Sequence, residues 1–252
     1  MALDIKSRDN KLFKQWISLQ TSKGIDRHGL ALVSGRKIVP ELFADGGEAT
    51  TLIVREGAPH LNPLPKSRAR ATRVEEKLFE ALDEFGTDAP LLVLPLPDMG
   101  RFESTQKPPT GLTLALATQD PSNLGAIMRS ALAFDVDQIV LLAECAHPFL
   151  PRVTRAAAGA NFRIRLLKGP SIKALDTEWI ALDMKGEALD KSWLPEQCAL
   201  LLGEEGMGIP DSFAGRRVKI PISSKVDSLN VGVAAGIILA NYRRSYPLVK
   251  RA

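Results

Sequence analysis

Three short segments of the sequence combine glycines with polar side chains, a combination that is typical of ligand sites. They span residues 120–129, 202–209 and 220–236, and each opens with or follows a short apolar run. Such a run predicts a β-strand, and open α/β sheets bind ligands at the carboxyl ends of their strands. We therefore expect the three segments to be loops of one active site.

The first segment predicts a turn followed by a helix from about residue 123 to 134. Ser122 or Asn123 is the expected cap of the free N–H groups of this helix. Arg129 is the only charged residue in the predicted helix. It lies about 200° around the helix axis from Ile127, away from the predicted buried stripe. Taken alone, this pattern favours a solvated arginine on a surface helix and an asparagine that serves only as a cap.

The second segment places Gly203, Gly206 and Gly208 directly after an apolar run at 198–202. Glycine lets the backbone turn sharply or approach a ligand closely. The spacing matches neither the P-loop nor the Rossmann fingerprint, so a nucleoside triphosphate and NAD are not favoured. The alternative is an ordinary glycine-rich turn whose two acidic residues are surface charges.

The third segment runs from a predicted strand at 218–222 through a loop into an apolar helix at 228–243. Asp227 or Ser228 is expected to cap that helix, and Asn230 is the polar exception inside its apolar run. As an alternative to a role in the site, Ser228 and Asn230 serve only the helix N-terminus.

The remaining apolar patterns predict two α/β units. Strands that alternate with helices from residue 112 onward indicate a mostly parallel sheet covered by helices on both faces. A smaller α/β unit precedes it, and prolines and a glycine between the two indicate a linker. The predicted domains are residues 1–96, a linker at 97–111, and residues 112–252. The other predicted elements are helices at 11–20, 39–44, 74–85 and 153–159, and strands at 30–33, 50–54, 91–94, 112–117, 138–142, 163–167, 179–183 and 198–202.

The composition is that of a globular protein, with 45% hydrophobic and 25% charged residues. The longest nearly unbroken apolar run, 231–240, is about half of the ~20 residues that a membrane span needs. The charged N-terminal residues do not resemble a secretory signal, so we expect a cytoplasmic protein without a membrane partner. Two cysteines, Cys145 and Cys198, and three histidines form no zinc-type cluster, so no metal is expected and both cysteines are expected to be buried in apolar strands.

Positive charge is concentrated in the first 70 residues, which hold 12 Lys and Arg against 7 Asp and Glu. Residues 71–110 reverse this balance, with 4 against 8. The net charge of +4 and the pI near 9.1 favour a polyanionic partner. The N-terminal stretch is therefore the better candidate for a phosphate-facing surface.

Together, the three segments closely resemble, in order and spacing, the signature motifs of the SpoU/TrmH-type RNA 2′-O-ribose methyltransferases, a family of the SPOUT class. The resemblance covers roughly residues 112–246. It implies a C-terminal domain with a trefoil knot, S-adenosylmethionine as the cofactor, and a homodimer formed through that domain with the cofactor site near the interface.

The same resemblance implies the residues of the site. The implied catalytic residues are Asn123, Arg129, Glu205, Ser228 and Asn230. The implied cofactor-binding residues are Leu202, Gly203, Gly206, Ile220, Ile222, Ser228, Leu229 and Asn230. Two positions depart from the pattern of many relatives, because Ser224 stands where they have glycine and Ala157 where they have serine.

In that family the arginine is the residue most often assigned to catalysis. Methylation of a ribose 2′-hydroxyl develops negative charge on the attacking oxygen, and this charge must be stabilised. A guanidinium stays protonated and is therefore a poor general base. We expect Arg129 to bind the neighbouring phosphate bidentately and to stabilise the developing alkoxide.

The N-terminal unit is similar, more weakly, to the substrate-binding domain that precedes the catalytic domain in ribosomal-RNA members of the family. Ser34 departs from the glutamate that relatives usually carry. A solvated basic face and an RNA-binding face are equally compatible with its positive charges. The residues expected to contact RNA are Lys6, Arg8, Lys11, Arg36, Lys37 and Arg152.

The leading interpretation is thus an RNA ribose methyltransferase that acts on ribosomal RNA. The alternatives are a tRNA ribose methyltransferase and a non-catalytic RNA-binding or ribosome-assembly protein that keeps the fold. A small-molecule methyltransferase is disfavoured by the RNA-type N-terminal domain.

Overall fold

A computed structural model describes residues 3–44, 51–58, 70–189 and 194–248 of the chain. These residues form two compact units, each built around its own β-sheet. The N-terminal unit comprises residues 1–97 and 147–162, and the C-terminal unit comprises residues 98–146 and 163–252.

Strands and helices alternate along most of the described chain. In chain order the strands are β1 (Leu3–Ile5), β2 (Leu30–Ser34), β3 (Thr51–Arg55), β4 (Arg70–Val74), β5 (Leu91–Pro95), β6 (Gly100–Arg101), β7 (Leu112–Leu116), β8 (Gln138–Leu141), β9 (Arg165–Lys168), β10 (Ile180–Ala188), β11 (Cys198–Leu202) and β12 (Arg216–Lys219). The helices are α1 (Lys11–Ser18), α2 (Ser22–His28), α3 (Ile38–Ala44), α4 (Glu76–Leu82), α5 (Pro121–Ala133), α6 (Pro151–Ala157) and α7 (Val231–Ser245).

The sheet of the N-terminal unit has the strand order β1-β4-β3-β5-β2. Strands β1, β4 and β3 run parallel, whereas β5 is antiparallel to both of its neighbours. An apolar cluster joins α3 to this sheet and includes Val33, Leu42, Leu52 and Leu92. The unit therefore has a core of its own.

Residues 147–162 leave the C-terminal unit and complete the N-terminal one. Helix α6 packs against β2, and a Cβ added at Gly159 would lie 3.3 Å from Ile38 of α3. The Asn161 amide donates to the Pro148 carbonyl and to the Thr154 hydroxyl, each at 2.9 Å. The sequence placed this segment in the C-terminal domain, because order along the chain does not reveal which sheet a helix will cover.

The C-terminal unit contains a seven-stranded sheet in the order β12-β10-β11-β7-β8-β9-β6. All of its strand pairs are parallel. Every residue of β7, β8 and β11 is buried, as expected for central strands of a covered parallel sheet. Helices α5 and α7 pack against each other. The predicted α/β class is confirmed, and the trefoil knot stays a prediction.

The structure differs from the sequence expectations where local patterns are weak. Strands β1 and β4 and helix α2 were not expected, because β1 has only three residues and β4 reads Arg-Ala-Thr-Arg-Val without a clear apolar alternation. Strand β6 lies inside the expected linker and pairs with β9. A two-residue strand of glycine and arginine has no hydrophobic signature that a sequence could display.

Candidate active site

The three glycine-containing segments meet at one edge of the C-terminal sheet. Strands β12, β10, β11 and β7 are neighbours and parallel, so the loops that follow them emerge on the same side. Between these loops lies a cavity of about 450 Å³. Residues from all three segments line it, among them Asn123, Gly203 and Asn230. This is the position at which open parallel sheets bind ligands.

Asn230 links the start of α7 to the first segment. Its side-chain oxygen accepts hydrogen bonds from the N–H groups of Gly232 at 2.9 Å and Val233 at 3.2 Å. Its side-chain nitrogen donates to Oδ1 of Asn123 at 2.9 Å. Asn230 is therefore the N-cap of α7, a position that we expected Asp227 or Ser228 to occupy. One side chain thus stabilises the helix and orients a residue of the site.

Asn123 is in turn hydrogen-bonded to the second segment. Its amide nitrogen donates to Oε1 of Glu205 at 3.3 Å, and the backbone N–H of Gln119 donates to Oε2 of the same carboxylate at 2.9 Å. The side chain of Gln119 donates to Glu204 at 2.6 Å. The cap of α5 is Asp120, not Ser122 or Asn123, which leaves the Asn123 side chain available to the site.

Two glycine features give the second segment its shape. A Cβ added at Gly203 would lie 2.5 Å from the backbone of Gly208, a distance that no real side chain tolerates. Gly206 and Gly208 have φ angles of 87° and 68°, in the left-handed region that favours glycine. Glu204 and Gly208 form an antiparallel bridge across this tight loop. The loop therefore folds tightly on itself, and all three glycines line the cavity.

Most of the predicted catalytic and cofactor-binding residues lie at this cavity. Ile222 and Arg129 are the exceptions in that set, because neither is among the residues that line the cavity. The predicted residues that line the cavity are Asn123, Leu202, Gly203, Glu205, Gly206, Ile220, Ser228, Leu229 and Asn230.

Arg129 lies on the exposed side of α5. Its side chain is exposed, and within the described residues no hydrogen bond or ion pair holds it. Arg129 thus takes no part in the hydrogen-bonded network that joins Asn123, Glu205 and Asn230. The two packed helices α5 and α7 also carry exposed apolar side chains: Leu132, Val233 and Ile237 are 37%, 53% and 39% exposed.

Asp183 and Met184 of β10 also line the cavity, and so does Lys219 of β12. Asp183 forms an ion pair with Arg217, and the Arg217 guanidinium donates to the carbonyls of Pro210 at 2.7 Å and Phe213 at 3.1 Å. Sequence reasoning missed these residues, because β10 carries no glycine signature. The available signal was the acidic residue at the end of a predicted strand, at 179–183.

A comparison of the sequence with family models identifies the class of the protein. The model described as the SpoU rRNA Methylase family matches residues 112–240. That stretch contains all three segments of the cavity. The chain belongs to the SpoU rRNA methylase family. Membership places it among the RNA methyltransferases of the rRNA and tRNA type.

Relatives of this SpoU-family chain carry related names. A protein of Syntrophobacter fumaroxidans, named ribosomal RNA small subunit methyltransferase G 2, is 36% identical over 96% of the chain, which spans only 49% of that relative. The Bacillus subtilis 23S rRNA (guanosine(2553)-2′-O)-methyltransferase RlmP is 27% identical over 95% of the chain and 98% of its own length. The crystal structure of an AdoMet-bound rRNA methyltransferase from Sinorhizobium meliloti has a TM-score of 0.80 at 24% identity, with 98% of this chain and 99% of that one covered. That likeness confirms the fold.

The two cysteines of this SpoU-family chain are poor nucleophiles. Burial raises the pKa of both Cys145 and Cys198 to about 12. A thiol with that pKa stays protonated near neutral pH, and the thiolate is the reactive form. Cys145 lies in a turn and is half-buried, whereas we expected it to be buried in a strand. Cys198 is buried in strand β11, as expected.

Among the described residues, no group of His, Cys, Asp and Glu is arranged to hold a metal ion.

Several basic residues expected to bind RNA already have acidic or carbonyl partners. Lys6 pairs with Glu56 at 3.1 Å, and Arg152 pairs with Glu84 at 2.7 Å. The hydrogen bond that Lys6 donates to the Glu56 carboxylate raises the pKa of Lys6. The remaining residues of this set are exposed: Arg8, Lys11, Arg36 and Lys37. Of these, Arg36 donates a hydrogen bond to the Thr87 carbonyl at 3.3 Å.

Within the described chain, no helix has the length and the apolar composition needed to cross a membrane.

Proposed function

We propose that the chain methylates a ribose 2′-hydroxyl of RNA, with ribosomal RNA as the favoured substrate and S-adenosylmethionine as the methyl donor. One observation carries this proposal. A continuous hydrogen-bonded path runs from the start of α7 through Asn230 and Asn123 to Glu205. It joins one residue from each of the three segments at the rim of a single cavity.

The cavity suits S-adenosylmethionine in size and in charge. Its volume of about 450 Å³ lies within the range of small-molecule sites. Within the described residues, Glu204 and Glu205 have neutral hydrogen-bond partners and no cationic one, so the part of the cavity lining that they form favours a cation. When bound, the cofactor supplies an electrophilic methyl group on a sulfonium. Gly203, Ile220 and Leu229 are the residues that would hold it through close backbone approach.

The polar residues of the network have positioning roles in this proposal. Glu205 accepts from the Gln119 backbone and so orders the loop that precedes α5. Asn123 is held between Asn230 and Glu205, which fixes the orientation of its amide. A site whose side chains are fixed before the substrate arrives loses little free energy in reorganisation. These residues therefore hold the loops in the geometry that the reaction needs.

Arg129 is the proposed contact with the RNA at the reacting sugar. Its guanidinium offers planar, bidentate donors that match a phosphate, and it carries a positive charge that stabilises a developing alkoxide. The proton of the hydroxyl leaves to phosphate or water, because the guanidinium is already fully protonated. Its exposure and its lack of a partner among the described residues are consistent with a side chain that binds a substrate phosphate.

The proposal includes a homodimer through α5 and α7. Leu132 of α5 and Val233 and Ile237 of α7 are exposed apolar side chains that a second copy of the chain would cover. Arg129 lies on the exposed side of the same helix as Leu132, so the interface would bring it next to the second copy. The dimer thereby gives the arginine a defined environment that a single chain does not provide.

Mapping of ribose methylation tests the proposed reaction. The purified protein is incubated with labelled S-adenosylmethionine and with ribosomal RNA or tRNA from cells that lack the protein. A 2′-O-methyl group removes the nucleophile of alkaline cleavage, so the expected product is a labelled, alkali-resistant position in ribosomal RNA. Label on a base with an alkali-sensitive linkage would contradict ribose specificity. Label in tRNA alone would replace the favoured substrate by the alternative one.

A further inference from the structure

Asp183 lines the cavity from strand β10, outside the three segments that carry the family resemblance. We propose that its carboxylate accepts hydrogen bonds from the two ribose hydroxyls of the bound cofactor. The adenosine half of the cofactor then lies toward β10, and its charged methionyl half lies toward Glu205. The inference rests on the proposed use of S-adenosylmethionine and adds the direction in which it binds.

The backbone of β10 brings Asp183 to the cavity. The pairing of β10 with β12 shifts its register between Leu182 and Glu187, so residues 183–186 bulge out of the regular ladder. A Cβ added at Gly186 would lie 2.5 Å from the backbone N of Val218, which keeps this bulge tight against β12. Bulges commonly redirect side chains next to active sites. Here Leu182, Asp183 and Met184 are all part of the cavity lining.

The carboxylate of Asp183 is fixed and compensated in charge. It pairs with the Arg217 guanidinium, and its Oδ1 accepts from the backbone N–H of Lys185 at 3.0 Å. Arg217 is held in turn by the carbonyls of Pro210 and Phe213. Only 13% of the Asp183 side chain is exposed. Asp183 therefore presents a rigid acceptor whose negative charge already has a cationic partner.

The hydrogen-bonding capacity that remains matches a diol. An ionised carboxylate has about four acceptor positions, and two of them are used by Arg217 and by the Lys185 N–H. About two acceptor positions remain, the number of donors on the 2′- and 3′-hydroxyls of a ribose. In dinucleotide-binding sites, an Asp or Glu carboxylate commonly accepts a hydrogen bond from a ribose hydroxyl.

The other two acidic residues of the cavity, Glu204 and Glu205, differ from Asp183 because they have no cationic partner among the described residues. Glu204 and Glu205 accept from the uncharged groups of Gln119 and Asn123, and no cation pairs with them among the described residues. A carboxylate without a cationic partner attracts an ammonium or a sulfonium more strongly than one that is already paired. The positive half of the cofactor therefore belongs at Glu205, and the neutral hydroxyls belong at Asp183.

Calorimetry with three ligands tests this assignment without any RNA. The ligands are S-adenosylhomocysteine, its 2′,3′-dideoxyribose analogue, and 5′-methylthioadenosine, which keeps the ribose and lacks the amino-acid group. They are titrated into the unchanged chain, into Asp183→Ala and into Asp183→Asn. Asp183→Ala should weaken S-adenosylhomocysteine about tenfold to a hundredfold, as expected for loss of charge-assisted hydrogen bonds. Asp183→Asn keeps one acceptor oxygen and should lose less.

The pattern across the ligands decides the role. The loss on Asp183→Ala should persist with 5′-methylthioadenosine and vanish with the dideoxyribose analogue. A loss of affinity that is absent only with 5′-methylthioadenosine would show that Asp183 binds the amino-acid end of the cofactor. An equal loss of affinity for all three ligands would show that Asp183 has only a structural role. Either result overturns the inference. Absence of binding to the unchanged protein would overturn it as well.

Asp211→Asn is the matched control. Asp211 is a nearby acidic residue that pairs with Lys185 at 2.6 Å, does not line the cavity and is largely exposed. Its substitution should leave all three affinities unchanged, and thermal melting curves identify any variant that fails to fold. If the ligand pattern appears but no RNA ribose is methylated, the proposed reaction fails while the assignment of Asp183 stands.

Discussion

The cavity edge of the C-terminal sheet and the exposed face of α5 and α7 are built in opposite ways. At the cavity, Asn230, Asn123 and Glu205 satisfy one another by hydrogen bonds within one chain. On the helical face, Arg129 and apolar side chains such as Val233 are exposed to solvent. The difference teaches that hydrogen bonds within one chain hold the residues at the cavity, whereas no such contact holds Arg129 among the described residues.

The largest expected effect separates these two regions directly. Arg129→Ala should lower the rate of RNA methylation about 100- to 1000-fold, as for the loss of a charged group that stabilises a transition state. The affinity for S-adenosylhomocysteine should stay unchanged, because Arg129 does not line the cavity. Single-turnover kinetics and calorimetry measure the two quantities. Near-normal turnover of Arg129→Lys would contradict the bidentate role, because an ammonium cannot present a planar pair of donors.

The proposed dimer provides the next comparison. Val233→Glu places a charge in the apolar face of α7 and should convert a dimer into monomers, as measured by analytical ultracentrifugation. Val226→Glu is the matched control, since Val226 and Val233 are 52% and 53% exposed and only Val233 lies on α7. A carboxylate in the first turn of a helix is favourable, so the substitution itself should not unfold α7. Equal association of both variants would exclude this surface as the interface.

Substitutions of Asn230 can separate its role as the cap of α7 from its hydrogen bond to Asn123. Asn230→Ala removes the cap of α7 and should cost about 1 kcal/mol of unfolding free energy, together with the link to Asn123. Asn230→Asp keeps an acceptor for the cap but loses the N–H donor, so it should retain stability and still lower methylation. Urea denaturation and turnover measurements check the pair. Equal turnover of Asn230→Asp and the unchanged protein would show that the link is not needed.

A smaller effect is expected at the basic residues of the N-terminal unit. Lys37→Glu should weaken RNA binding several-fold and should reduce the dependence of affinity on salt, as expected for loss of about one phosphate contact. Lys6→Ala is the comparison, because Lys6 already pairs with Glu56 and should contribute less. Filter binding at several salt concentrations measures both slopes. A larger change for Lys6→Ala would reverse this ranking.

The smallest effect concerns pH and the cysteines. The folded chain holds the pKa of Cys198 at about 12, above the value of 9.0 for an exposed thiol. The unfolded chain therefore releases this proton first as the pH rises, so the stabilising contribution is complete below pH 9.0 and is lost as the pH approaches 12. Cys198→Ala should show a shallower decline of the melting temperature across that window. An identical decline in both proteins would contradict the assignment.

The sequence predicted much of the C-terminal unit, for identifiable physical reasons. Buried parallel strands such as β7 and β11 are continuous apolar runs, and the glycines after β11 indicated a loop of close backbone approach. Arg129 was placed correctly on the outer side of its helix by periodicity alone, away from the buried residues. Its chemical role came only from the family resemblance and stays a prediction.

The parts that the sequence did not reveal depend on contacts distant along the chain. The caps at Asp120 and Asn230 were misjudged, because several neighbouring polar residues can cap a helix and tertiary partners select among them. Asp183 was missed because its approach to the cavity depends on the bulge of β10 against β12. Neither a bulge nor a hydrogen bond across 107 residues leaves a local pattern.

The path of residues 147–162 limits how this protein can be divided or recombined. The chain leaves the C-terminal unit, contributes α6 to the other sheet and then returns. A fragment that stops at residue 97 would lack that helix, and a graft of the N-terminal unit onto another methyltransferase needs two separate pieces of gene. Exchange of the N-terminal unit between related chains by a single crossover would leave a hybrid with mismatched packing on β2.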